Sequence, residues 1–215
     1  KPMAVKNQLA VKNQLAVKNQ LAVKDRAGPD MLSYAFVTAT LMIMNTSSSK
    51  FGQEADLEGR CTCGAVHYHM TRQPLFVHCC HCTWCQRETG SAFAVNALIE
   101  TSHVQVTRGT VVACQQDSAS GRGQTLINCD TCHTTLWSYY ASAQERVSFV
   151  RVGTLLDPGH APPNIHIFTS TKFPWVILPD GQPAVSEYYR RSDLWPEQSQ
   201  QRYKAALMDE TNQPR

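Results

Sequence analysis

The chain has 215 residues, a net charge of +3 and 42% hydrophobic residues, enough for one compact domain with residues to spare. Its lysines and arginines form no block and no basic–aromatic interleaving, which speaks against nucleic acid as a partner. No stretch reaches the roughly 18 to 20 apolar residues of a membrane span; the longest candidate, residues 34–44 (YAFVTATLMIM), is too short and holds two threonines.

In chain order, residues 4–24 repeat the hexapeptide Ala-Val-Lys-Asn-Gln-Leu, with a last copy beginning at Ala22. A period of six turns a helical stripe by about 240° per repeat and builds no continuous helical face. A low-complexity extension over residues 1–50 is therefore expected rather than a solenoid, which needs longer repeats and caps. Met31 and Met44 could serve as alternative starts, which would make the repeat dispensable. Residues 45–58 (NTSSSKFGQEADLE) read as linker.

The folded domain is expected within 51–190, beginning near Gly59. Residues 65–71 (AVHYHMT) alternate as a strand, Pro74 ends it, and Leu75-Phe76-Val77 leads as a strand into a cysteine cluster. Thr83–Glu88 suits one helical turn closed by Gly90. Residues 91–99 (SAFAVNALI) read as a buried strand. Strands are also expected at 103–106, 110–114, 124–128, 136–140, 147–152 and 165–169. Turns fall at 118–123 and 179–183, and a Pro-rich loop at 157–164. The tail, 191–215, holds one short helix after Trp195, with Pro196 at its first position and Tyr203, Ala206 and Leu207 on one face. The domain is mainly β.

Nine cysteines is an odd number, and they are clustered rather than spread as a disulfide framework. Seven fall into Cys61-x-Cys63, Cys80-x-Cys82-x-x-Cys85 and Cys129-x-x-Cys132. Thiolates grouped so tightly are ligands for a soft or borderline metal, and tetrahedral sulfur sites favour zinc. Thiol ligation also points to a reducing compartment: the cytoplasm, with the mitochondrion as the alternative.

Cys61, Cys63, Cys129 and Cys132 would make a closed tetrahedral site pinning two distant ends of a sheet together. Cys80, Cys82 and Cys85 would leave a fourth position open. Three thiolates on Zn²⁺ weaken it as a Lewis acid, so its best use is to hold a substrate thiolate and present it as a nucleophile. The alternative is a second structural zinc closed by His81 or Cys79. Cys114, in an apolar strand, is expected to be a core thiol. His67, His69 and His103 read as ordinary strand or loop histidines; His160 and His166 flank the Pro-rich segment.

Gly59-x-Cys61-x-Cys63-Gly64-x-Val66, Cys80-His81-Cys82-x-x-Cys85-x-Arg87-x-x-Gly90-Ser91-Ala92-Phe93 and Cys129-x-x-Cys132-x-Thr134-x-Leu136-Trp137 resemble the glutathione-dependent formaldehyde-activating enzyme family, also called the centromere protein V family. Asn164-Ile-His166-Ile167-Phe168, Lys172-x-Pro174-Trp175 and Asp180-Gly181-x-Pro183 extend the resemblance to roughly residues 55–190. It implies a β-tent of stacked antiparallel sheets with two zinc ions per chain. Cys61, Cys63, Cys129 and Cys132 would hold the structural zinc; Cys80, Cys82 and Cys85 would hold the catalytic one. The implied activity is a carbon–sulfur lyase type, joining formaldehyde to the thiol of glutathione as co-substrate, with Arg87, Lys172 and Arg60 as candidate cations for its carboxylates. The alternatives are a non-enzymatic zinc module of the centromere type, and a related lyase for another small thiol or aldehyde. His133 stands where the family usually has Gly, which bears on the knuckle turn.

Overall fold

The computed structural model describes residues 54–118 and 120–209; the hexapeptide repeat and the apolar stretch at 34–44 lie outside them. Among the described residues the strands are β1 (Glu54–Arg60), β2 (His67–Arg72), β3 (Phe76–Cys80), β4 (Ala94–Glu100), β5 (Val104–Arg108), β6 (Val111–Gln116), β7 (Gln124–Cys129), β8 (Thr135–Tyr140), β9 (Val147–Arg151) and β10 (Ile165–Ile167). The helices are α1 (Thr83–Thr89), α2 (Arg191–Leu194) and α3 (Glu197–Met208). The expectation of a mainly β domain holds.

One sheet has the order β1-β2-β5 and the other β10-β3-β4-β9-β8-β7-β6. Every pairing is antiparallel except β10 with β3, which is parallel. In β2 the alternation is plain: Tyr68 and Met70 are fully buried while His67 and His69 are not. β3 is buried on both faces because its alternate residues enter two core clusters, Val77 one and Phe76 and Cys80 the other.

β1 departs from the reading of 45–58 as linker. Its sequence, EADLEGR, is acid-rich and carries no strand signal, but pairing with β2 sets Leu57 opposite Met70 and Gly59 opposite Tyr68. Gly59 lies against the Tyr68 ring so closely that a Cβ there would come within 2.2 Å of it. The Tyr68 hydroxyl meets Thr154 Oγ1 at 2.6 Å, and its ring meets Trp137 edge-on.

Cys114 is also a correction. The run Val111-Val112-Ala113-Cys114 looks like buried strand, but β6 is the outer strand of its sheet, bonded only to β7, and Cys114 is exposed.

The C-terminal tail packs onto the domain. Trp195 is buried, stacked on Phe76 and edge-on to Tyr203. Arg202 grips Glu100 of β4 with two bonds, Nε to Oε1 at 2.8 Å and Nη2 to Oε2 at 2.6 Å, and also donates to the Gln73 carbonyl. The inward face of α3 is Ser199, Arg202, Tyr203 and Ala206, at helical spacing, whereas Leu207 is 37% exposed. Two of those inward residues are polar, which hides the face from a hydrophobicity pattern.

Candidate metal centres

Cys61 and Cys63 lie on the turn that leaves β1, and Cys129 and Cys132 on the turn that leaves β7. The first turn is closed by bonds from Gly64 N–H to the Cys61 carbonyl and from Cys61 N–H to the Val66 carbonyl. The second is closed by His133 N–H on the Cys129 carbonyl and Cys129 N–H on the Thr134 carbonyl. His133 adopts the left-handed backbone, φ 57°, that a glycine would adopt freely. Thr134 Oγ1 donates to Thr62 Oγ1 at 3.0 Å and clasps the two turns together.

All four thiols lie within 4.8 Å of one another, with Cys61 Sγ 3.5 Å from Cys63 Sγ and Cys63 Sγ 4.0 Å from Cys129 Sγ. A tetrahedral zinc with Zn–S bonds of about 2.3 Å requires sulfurs about 3.8 Å apart, so the donor set fits that ion. Burial alone would raise the Cys61 thiol. The Val66 N–H, 3.2 Å from its sulfur, and the thiols of Cys63 and Cys129 bring it below the ordinary value. The Thr134 hydroxyl and backbone N–H hold Cys132 down at about 5.

The second group forms where β3 runs into α1. Cys80 ends β3, Cys82 is the N-cap of α1 with extended backbone, and Cys85 is in the first turn. The Cys82 sulfur accepts from Cys85 N–H at 3.4 Å. Gly90 ends the helix in the left-handed region, φ 61°, with its N–H on the Gln86 carbonyl. Gln86 is buried and anchors α1, donating from Nε2 to the carbonyls of His81 and Thr171. The three thiols lie within 4.8 Å of one another; Cys80 and Cys85 are buried and Cys82 is half-buried.

Hydrogen bonding from Cys80 and Cys85 lowers the Cys82 thiol to about 2, against the opposing effect of burial. Bonding to Cys82 and Cys85, then burial, pushes Cys80 well up. Of the three sulfurs, that of Cys82 is the one that meets solvent. Cys79 and His81, which could have closed this group, instead lie with His166 in a separate cluster.

Arg87 is exposed on α1. With Gln86, Gly90, Ser91, Phe173 and Trp175 it lines a groove of about 680 Å³. Phe173 and Trp175 stack at 5.3 Å and Trp175 is 70% exposed. Lys172 directs its ammonium to the carbonyls of Phe173 and Val176, at 3.2 and 2.6 Å, bracing the loop that carries those aromatics. Arg60 is exposed at the end of β1.

One pair went unread in the sequence. Arg151, in β9, is buried and pairs with the Glu88 carboxylate of α1 and with Asn96 Oδ1 of β4. The bond from Cys80 and, more weakly, the Arg151 charge act to lower the Cys85 thiol, but the bond to Cys82, burial and the Cys82 charge outweigh them and push it up to about 12. An arginine inside the apolar run VSFVRV was the available signal.

The model of the family described as glutathione-dependent formaldehyde-activating enzyme matches residues 56–171. The chain belongs to this family. The matched span contains all seven clustered cysteines, Arg87 and His166, and stops one residue before Lys172. No curated protein matches the chain. Among solved structures it is similar to a crystal structure of a Rhodobacter sphaeroides protein, with 22% identity over 46% of this chain and 88% of that one, at a TM-score of 0.36. Family membership supports a glutathione-dependent formaldehyde-activating or related lyase function. No described helix is long and apolar enough to cross a membrane.

Proposed function

We propose that the protein is a zinc-dependent enzyme of the carbon–sulfur lyase type, adding the thiol of glutathione, or a similar thiol, to formaldehyde or another small aldehyde. The observation that carries this reading is the asymmetry of the two cysteine groups. Four thiols form a set that needs no further ligand, whereas the three thiols of Cys80, Cys82 and Cys85 would leave one position of a tetrahedral ion free. Closed sets serve structure, and sets with a free position serve substrates.

Cys61, Cys63, Cys129 and Cys132 would hold one zinc; Cys80, Cys82 and Cys85 would hold the other. When bound at the second group, zinc supplies the charge that keeps a substrate thiol ionised near neutral pH. The reaction itself is balanced simply. The thiol loses its proton, its sulfur forms a bond to the aldehyde carbon, the C=O π bond breaks, and the oxygen takes up a proton to give the hydroxymethyl thioether.

The chain's residues orient the thiol's carrier. Arg87, one turn along α1 from Thr83 and in the same groove, suits a glutathione carboxylate through paired N–H donors. Phe173 and Trp175 give the groove an apolar wall against the peptide backbone of the ligand. Lys172 keeps that wall in place through the two loop carbonyls.

The test is the rate at which zinc-loaded protein forms S-hydroxymethylglutathione from glutathione and formaldehyde, followed by NMR exchange. A rate above the uncatalysed one, lost by about 100-fold or more in Cys82→Ser with the fold intact by circular dichroism, is the expected result. A folded, zinc-replete wild type no faster than the uncatalysed reaction would contradict the proposal.

A further inference from the structure

We propose that Cys79, His81 and His166 form a third metal site, separate from both cysteine groups, for a borderline divalent cation of the zinc class.

The chain brings these three together by strand geometry. Successive residues of a strand face opposite sides, so Cys79 turns away from Cys80, and His81, two residues on, shares the Cys79 face. His81 N–H bonds to the Ile167 carbonyl, which carries the β3–β10 ladder one residue past Cys80. β10 runs parallel to β3 with His166 in register with Cys79. Two ligands at i and i+2 and a third from the neighbouring strand thus meet on one face of the sheet.

The distances suit a small metal. Cys79 Sγ is 3.6 Å from His81 Nε2, His81 Nε2 is 2.9 Å from His166 Nδ1, and all three atoms lie within 4.8 Å of one another. A tetrahedral zinc with bonds of about 2.3 Å to sulfur and 2.05 Å to nitrogen needs S···N near 3.6 Å and N···N near 3.3 Å. The Cys79–His81 spacing is already met, and the two imidazoles would need to part by about 0.4 Å.

The outer contact of one imidazole fits as well. His166 Nε2 donates to Gln182 Oε1 at 2.7 Å, which leaves Nδ1 as an acceptor facing His81 Nε2 at 2.9 Å. A metal-ligating imidazole characteristically has its far nitrogen held this way. His81 Nδ1 is buried with no hydrogen-bond partner, so the polar contacts of that ring pass through Nε2, the atom facing Cys79 and His166, and unlike His166 it has no outer partner. Thiolate with imidazole is a donor set for zinc rather than for calcium or magnesium.

Cys79, His81 and His166 are 1%, 0% and 7% exposed, so the site is shut off from solvent, which points to a structural role although it supplies three donors rather than four. β10 has only three residues, and directly after it the chain forms the loop that carries Phe173 and Trp175. A metal here would staple that edge strand to β3 and so fix the wall of the groove beside α1.

Crystals of the full chain grown with zinc, measured on both sides of the zinc absorption edge, test this without mutation. The expected map has an anomalous peak among Cys79 Sγ, His81 Nε2 and His166 Nδ1. Peaks at the cysteine groups with none at this cluster would overturn the site. A peak here with none at Cys80, Cys82 and Cys85 would support it while contradicting the proposed reaction, so the two readings fail separately. Zinc content gives a second measure. Cys79→Ser is expected to lose about one zinc per chain relative to wild type, and unchanged content would count against the site.

Discussion

The sulfurs of Cys63 and Cys129 lie 4.0 Å apart and join the two sheets: Cys63 follows β1 of the three-stranded sheet, and Cys129 ends β7 of the seven-stranded one. A metal in this group would contribute folding energy directly, because the unfolded chain offers no such site. Cys129→Ser, or chelation of the metal, is therefore expected to destabilise the fold by several kcal/mol. Chemical denaturation with and without chelator measures it. A chelator-insensitive midpoint would mean that the four thiols stabilise nothing through a metal.

His133 holds a left-handed backbone in the knuckle beside this group. An L-residue other than glycine there costs about 1 to 2 kcal/mol, part of which glycine gives back as extra freedom of the unfolded chain. His133→Gly should stabilise the protein by about 0.5 to 1 kcal/mol, and His133→Val should destabilise it, since a β-branched residue fits this region worst. Thermal midpoints of the three proteins give the order Gly, His, Val. A glycine variant less stable than wild type would show that the His133 side chain makes a contact outweighing the backbone cost.

The Arg151–Glu88 pair joins β9 to α1 with both side chains about nine-tenths buried. Removing one partner leaves a buried charge, which typically costs about 3 to 5 kcal/mol. Arg151→Met should show that loss in urea unfolding, and the double variant Arg151→Met/Glu88→Leu should recover much of it. Equal losses in the single and double variants would place the cost in packing rather than in the unpaired carboxylate.

Stability against acid follows from Glu100. Burial favours its neutral form, but the two bonds from Arg202 outweigh this and hold its pKa below the ordinary 4.5. A carboxyl depressed on folding contributes stability that is fully present above the unfolded value and lost as pH falls through the folded one. The stability gap between wild type and Glu100→Gln should therefore be widest near neutral pH and shrink below about pH 4.5. A gap independent of pH would mean that Glu100 carries no charge that matters.

Ligand groups were legible in the sequence to the extent that their members are near neighbours. C-x-x-C can fold its thiols together within one turn, and Cys82 and Cys85 do so at the start of α1. The first strand was not legible, because β1 owes its existence to pairing with β2 rather than to its own acid-rich residues. Likewise nothing local reveals that His166 meets His81 across 85 residues, or that Arg202 meets Glu100 across 102; both depend on register and docking. Cys114 misled because an apolar run shows that a strand forms, not that it lies inside the sheet. For Lys172, the sequence offers a cation but cannot show that its ammonium is engaged by loop carbonyls.

The division of labour between the cysteine groups is tested most directly by loading the full chain with cobalt and titrating glutathione while recording thiolate-to-cobalt absorption. The expected result is a saturable gain as one thiolate is added, retained in Cys79→Ser and abolished in Cys82→Ser. Wild-type absorption that glutathione leaves unchanged, in protein whose three thiols at Cys80, Cys82 and Cys85 hold cobalt, would contradict an open thiol-handling centre.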